Sequence, residues 1–242
     1  MSETKLDIIY HDDDLVAINK PSGLLVHRSR IAAGAREFAM QKLRDQLGQH
    51  VYPVHRLDRP TSGVLLFALS SEVARLLMEQ FQQRQIDKVY HAVVRGYTQQ
   101  QGIINHALKE QLDKIADAKA QQDKAPQEAV TYYRTLAQVE LPFQVSKRHQ
   151  TSRYSLVELL PQHGRKHQLR RHMAHISHPI VGDSNHGDGR HNRFFKQQFD
   201  CPRLLLHASE LALQHPLSGE QLRLHAPLPP EFKRAFLFRR AQ

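Results

Sequence analysis

Apolar positions along this chain change period several times, and each change marks an element. Leu6-Asp7-Ile8-Ile9-Tyr10 and Leu15-Val16-Ala17-Ile18-Asn19 read as two short strands around the acidic turn His11 to Asp14, which predicts a hairpin. Lys20-Pro21-Ser22-Gly23 then turns the chain, because proline and glycine supply the dihedrals a turn needs. Between Glu37 and Leu47 the apolar residues Phe38, Met40, Leu43 and Leu47 suit a helix, with Gly48 as its stop. Val51-Tyr52-Pro53-Val54 and Val64 to Leu69 are strand-like and bracket a charged, turn-rich segment. Ser70 or Ser71 can cap a helix running to about Arg84, and Val73, Leu76, Leu77 and Phe81 form its core-facing stripe.

Lys88 to Arg95 alternates with period two, Tyr90, Ala92 and Val94 on one face and Val89, His91 and Val93 on the other, so it predicts a strand ended by Gly96. Thr98 to Glu128 is polar and rich in Gln and Lys. It reads as a solvated excursion between strands, with Asp113 to Gln121 as a helical candidate. Ala129 to Ala137 and Arg153 to Leu160 predict further strands, joined through a basic loop, Ser146 to Ser152. Leu169, Met173 and Ile176 predict a helix starting near Lys166. His186 to Gln198 reads as a polar, basic loop. Leu204 to Ala208 and Leu211 to Leu213 are core strand material, Leu222 to Leu224 is a hairpin arm, and Glu231 to Arg240 predicts a short terminal helix. The pattern is strand-heavy with a few helices.

Charge adds a partner class. The 242 residues carry 34 Lys and Arg against 24 Asp and Glu, a formal net charge of +10, with 17 histidines besides. A surface this basic points to a polyanion such as nucleic acid. Cys201 is the single cysteine, so no intramolecular disulfide can form, which fits a reducing, cytoplasmic setting. The polar, acidic start from Met1 to Asp7 is no signal peptide, and the run Val64 to Leu69 is too short to span a bilayer, so no membrane partner is expected.

Two stretches carry candidate chemistry. In His55-Arg56-Leu57-Asp58-Arg59-Pro60-Thr61-Ser62-Gly63 one carboxylate lies between two arginines, in a loop held by strand-like segments. In Gly164-Arg165-Lys166-His167-Gln168-Leu169-Arg170-Arg171-His172 a cluster of cations opens a helix, which places Arg165 at a strand-to-helix junction and makes Arg170 and Arg171 candidate RNA contacts. His167, His172, His175 and His178 invite a metal reading. They lack HExxH order, a nearby cysteine and a completing acid, so no metal is expected.

These stretches resemble the HRLDxxTSG and GRxHQLRxH motifs of the RluA family of pseudouridine synthases. KVYHAVVRG from Lys88, NKPSG from Asn19, HPIVGD from His178, RLLLHA from Arg203 and HPLSG from His215 resemble further segments of that family. The resemblance runs from about Leu6 to Pro229 and is weakest across Thr98 to Ser152 and His186 to Pro202. It implies an α+β pseudouridine synthase fold: a long, mixed, mostly antiparallel sheet with flanking helices and a central active-site cleft. It implies one catalytic domain over residues 1–242, without the small S4-type RNA-binding domain found upstream in many relatives. Asp58 is then the catalytic nucleophile. Arg56 displaces the target base from its stack, Tyr90 lies against the uracil, and Arg165 pairs with the aspartate. A guanidinium favours an ionised carboxylate, which a nucleophile requires, and arginine offers a planar fork that lysine cannot copy.

The implied reaction isomerises uridine to pseudouridine in RNA, with no cofactor, metal or nucleotide, by a monomer. HRLDRPTSG, DKIAD at Asp113 to Asp117, RRHMAHISHPIVGD and HGDxRxN from His186 to Asn192 are most similar to a branch acting on uridine 65 of tRNA. The alternatives are an rRNA substrate within the family, or an RNA-binding protein that retains the fold without catalysis.

Overall fold

The computed structural model describes residues 5–27, 37–110 and 125–238. Its elements in chain order are β1 (Ile8–His11), β2 (Leu15–Lys20), α1 (Ala39–Leu47), β3 (Tyr52–Pro53), β4 (Ser62–Ala68), α2 (Ser71–Gln82), β5 (Asp87–Arg95) and β6 (Gln101–Asn105). There follow β7 (Val130–Leu141), β8 (Ser152–Pro161), α3 (Gln168–His175), α4 (Gly189–Phe199), β9 (Leu206–Gln214), β10 (Gln221–His225) and α5 (Glu231–Arg234). The chain divides into two compact units. The first comprises Met1–Lys88, Lys109–Pro126 and Ala208–Ala226; the second comprises Val89–Leu108, Gln127–His207 and Pro227–Gln242.

In the first unit the expected hairpin forms, β1 antiparallel to β2, and β2 pairs antiparallel with β4 from Leu15 opposite Ala68 to Lys20 opposite Gly63. Every residue of β4 is buried, which explains its unbroken apolar run: both faces are covered. Leu15, Ala17, Val64, Leu66 and Ala68 meet Val73, Ala74 and Leu77 of α2, together with Leu211, Leu213 and Leu224 of the β9–β10 hairpin. Each large side chain buried here stabilises the fold by roughly 2 kcal/mol. Ser70 caps α2 as predicted, its hydroxyl accepting from Val73 N–H at 3.2 Å. Gly48 ends α1 in the left-handed conformation, φ 71°.

The second unit holds antiparallel strands in the order β5, β8, β7, β6. The alternation read from Lys88 to Arg95 sorts as expected. Tyr90, Ala92 and Val94 face a core that includes Leu169 and Met173 of α3. Val93 faces a second core with Phe195 and Phe199 of α4 and Phe232 of α5. There Tyr154 lies buried, its hydroxyl 2.8 Å from His191 Nδ1. Burial pushes the Tyr154 hydroxyl up and His191 down to about 4, so this buried pair is a phenol beside a neutral imidazole.

Two sequence expectations are corrected. Gln101 to Asn105 is not part of a solvated excursion: it is β6, paired along its length with β7. Only Ile104 of that stretch is buried, so backbone pairing rather than side-chain alternation decides it. His186 to Gln198 is not all loop: α4 begins at Gly189, with Asp188 capping Arg190 N–H at 3.0 Å. Its buried residues His191, Phe195 and Phe199 follow one another every four positions, a helical stripe that the surrounding polar residues obscured. α3 forms where expected, starting at Gln168, just after His167 in the left-handed conformation, φ 56°. The helical candidate Asp113 to Gln121 lies outside the described residues.

Two predictions follow from this packing. Gly63 has φ 112°, and a Cβ there would sit 2.1 Å from the carbonyl oxygen of Ala208. Gly63→Ala is therefore expected to destabilise the protein by roughly 3 kcal/mol or more, from strain and overlap together, read as the shift in urea midpoint at constant m-value. His191 binds fewer protons folded than unfolded between about pH 4 and 6.5. Its contribution is complete above 6.5 and shrinks as pH falls toward 4. Urea titrations at pH 7 and pH 5 should differ by about 2 kcal/mol through this residue, and His191→Asn should remove that part of the difference.

Candidate active site

In the first unit, β3 ends at Pro53 and β4 begins at Ser62, so residues 54–61 form the connecting loop. His55 closes the strand pairing. Its Nε2 accepts from the backbone N–H of Leu66 at 3.0 Å, and its ring lies 5.0 Å from that of Phe81. Burial, helped by the charge of Lys88, pushes His55 down to about 4, so it is a neutral acceptor with its proton on Nδ1. Leu57 is buried and pins the segment, while Arg56 is exposed and Asp58 is half-buried. Thr61 N–H donates to Asp58 O at 3.0 Å, closing the turn, and Thr61 and Ser62 are both buried.

The loop is held by the turn after β2. Lys20 is wholly buried, and its Nζ donates to Pro21 O and Leu24 O, both at 2.9 Å, and to Arg59 O at 3.3 Å. Gly23 N–H donates to Arg59 O at 2.8 Å, Arg59 Nε returns a bond to Gly23 O at 3.0 Å, and Ser22 Oγ donates to Pro60 O at 2.7 Å. A buried ammonium is tolerated only when its donors are satisfied, so Lys20 commits both segments to one arrangement. From the sequence it read as a turn residue, and only the fold reveals its burial.

In the second unit Tyr90 is half-buried on β5, opposite Leu159 of β8, and packs against the core that contains Leu169 and Met173 of α3. Arg165 is half-buried just ahead of α3. Its backbone N–H donates to Gln168 Oε1 at 3.1 Å and its Nε to Glu128 O at 3.2 Å. The fold thus brings Arg56 and Asp58 together on one loop of the first unit. Tyr90 and Arg165 both lie by α3 in the second.

The other cations and imidazoles have defined partners. Arg170 is buried and corrects the expectation of an RNA contact: its Nε and Nη2 reach the two carboxylate oxygens of Asp183, each at 2.8 Å. The four histidines considered as ligands diverge. His172 bonds Thr131 and His106 O, His178 bonds Arg95 O, His167 meets His186 at 3.1 Å, and His175 stacks on His106. Among the described residues Asp12, Asp14 and His215 also approach one another. His215 Nδ1 accepts from the N–H groups of Leu217 and Ser218 at 3.3 and 3.1 Å. Its proton therefore sits on Nε2, 3.3 Å from Asp12, an arrangement that ties two turns and offers no free imidazole lone pair to a cation.

The sequence profile of the RNA pseudouridylate synthase family matches residues 14–175, a span that holds Arg56, Asp58, Tyr90 and Arg165. The tRNA pseudouridine synthase C of Pectobacterium carotovorum is 63% identical over 223 residues, 92% of this chain, which spans 59% of that relative's length. The tRNA pseudouridine synthase C of Vibrio parahaemolyticus is 55% identical over 236 residues, covering 98% of this chain and 96% of the relative. Among solved structures, Human RNA Pseudouridylate Synthase Domain Containing 4 is 27% identical with a TM-score of 0.69, over 95% of this chain and 91% of that one. Human RNA Pseudouridylate Synthase Domain Containing 1 is 26% identical with a TM-score of 0.69, over 94% of this chain and 86% of that one. These likenesses bear out the α+β pseudouridine synthase fold with a mixed, mostly antiparallel sheet. By profile, sequence and fold alike, the chain belongs to the RNA pseudouridylate synthase family of isomerases.

Proposed function

We propose that this protein isomerises uridine to pseudouridine in tRNA, at uridine 65, with Asp58 as the nucleophile. The observation that carries the reading is Asp58 itself. It is half-buried within HRLDRPTSG, on a loop whose backbone is braced by buried Lys20. The names of the relatives at 55–63% identity support tRNA as the substrate.

The chemistry asks for one carboxylate beside an electron-poor sugar carbon. The N1–C1′ bond breaks, the uracil rotates, and C5 bonds to C1′; the C5 proton leaves and N1 gains one. No electrons are exchanged with a second reactant, so we assign no cofactor. A stacked base hides these atoms, so the uridine must leave its stack. Arg56, exposed beside Asp58, is assigned to the space the base vacates. Tyr90 offers its ring to the extruded uracil. Arg165 is assigned as counter-charge to the carboxylate, through the planar fork of its guanidinium. The net charge of +10 supports phosphate contacts as the source of much of the affinity. We further propose that the chain acts as a cytoplasmic monomer.

The test is tritium release from unmodified tRNA labelled at uridine C5, with protein alone. Asp58→Asn should bind tRNA with unchanged affinity and lose turnover by roughly 10³-fold or more. Turnover retained in that variant would sink the nucleophile assignment. Nucleotide-resolution mapping of the product tests position 65, and rRNA transcripts are the competing substrate. Raising salt from 50 to 200 mM should weaken tRNA binding by roughly 10²-fold or more; a flat response would argue against phosphate-led binding.

A further inference from the structure

Arg165 is located by bonds to Gln168, whose backbone N–H donates to the Arg165 carbonyl at 2.9 Å, and to the residues that begin β7. Gln168 is 4% exposed, and its carboxamide faces two ways. Oε1 accepts from Arg165 N–H at 3.1 Å; Nε2 donates to Val130 O at 3.0 Å and to Thr131 Oγ1 at 3.1 Å. Arg165 Nε, for its part, donates to Glu128 O at 3.2 Å. Backbone and guanidinium of Arg165 are thus both referred to residues 128–131.

The chain of bonds continues inward, and chemistry sets its direction. His172, wholly buried, places Nε2 3.0 Å from His106 O and Nδ1 2.9 Å from Thr131 Oγ1. A carbonyl only accepts, so Nε2 carries the proton. Burial lowers the pKa of this imidazole, which leaves Nδ1 as a lone pair. The Thr131 hydroxyl, also wholly buried, must then donate to Nδ1, so its own lone pairs face Gln168 Nε2. That fixes which end of the carboxamide is nitrogen and turns its oxygen toward Arg165. An amide is the side chain that offers an acceptor on one side and donors on the other. Methionine would leave Arg165 N–H and Val130 O without this partner, and glutamate would set a negative charge against Val130 O.

We propose that Gln168 is a positioning residue for Arg165, its carboxamide held in one orientation by Thr131 and His172. The proposal rests on the reading of Arg165 as part of the active site. The experiment separates the single-turnover rate from tRNA affinity, using the full chain and C5-labelled tRNA at a temperature below every variant's melt. Arg165→Ala is included to test that underlying reading. Gln168→Met and Thr131→Val should each slow the rate roughly 10- to 100-fold, as misplacement of a catalytic group does, with affinity within about twofold of the parent. Thr131→Ser, which keeps the hydroxyl, should restore the rate. A parental rate in Gln168→Met beside an impaired Arg165→Ala would overturn the proposal and leave the role of Arg165 standing. A parental rate in Arg165→Ala would overturn both. Loss of affinity in step with rate, or failure of both Gln168→Met and Thr131→Val to fold, would assign Gln168 to binding or stability and overturn the positioning role.

Discussion

The Asp58 loop depends on one buried charge. Lys20 places an ammonium at 0% exposure among the carbonyls of Pro21, Leu24 and Arg59. Removing an ammonium from water is costly, and the cost is offset only if its donors find acceptors in good geometry. The carbonyls of the Pro-Ser-Gly turn and of the Arg59 peptide meet that need, and in doing so they draw two segments together that lie far apart in sequence. The reciprocal bonds of Gly23 and Arg59, and of Ser22 with Pro60, follow from that approach. The backbone of the loop that carries Asp58 is thereby tied down on both sides of Pro60.

A second buried charge organises part of the other unit. The Asp183 carboxylate takes two bonds from Arg170 and two more from the N–H groups of Asn185 and His186. Those bonds, with Arg170 first among them, hold its acid well below the usual carboxylate range despite burial. Asn192 closes the arrangement, accepting from Gly182 N–H at 2.7 Å and donating to Asp183 O at 2.8 Å. Asp188 caps α4 and meets Arg95 at 2.7 Å. The motif stretches HPIVGD and HGDGRHN are therefore one structural node, and Arg170 belongs to it rather than to an RNA-facing surface.

Much of the secondary structure was legible where the apolar period was clean. The β1–β2 hairpin, α2 with its Ser70 cap, and the two faces of β5 follow from spacing alone, because each buries one continuous face. β6 was not legible, since its single buried side chain, Ile104, leaves no pattern and the backbone ladder with β7 decides it. α4 was obscured by composition: Arg190, Arg193, Lys196 and the glutamines occupy its outer face, and the stripe of His191, Phe195 and Phe199 is visible only once a helix is assumed. In the candidate site, Asp58, Arg56, Tyr90 and Arg165 stood out because motif resemblance marks residue type and order. Lys20, His55 and Gln168 did not, because what distinguishes them is burial and the partner they reach.

The sequence by itself determined the family, the basic character and the loop that bears the carboxylate, since these rest on local order and on charge that sums along the chain. Tertiary structure alone decided which cations are solvent-facing and which are structural. Arg56 and Arg170 are the same residue type in equally basic surroundings. One is exposed and the other lies buried against Asp183, and the difference comes from which segments pack over them, a long-range outcome that no local pattern encodes. The same holds for the orientation of the Gln168 carboxamide. It is set by a hydroxyl, an imidazole and a carbonyl from three separate stretches of chain, and only the folded arrangement lets their donors and acceptors meet in one consistent direction.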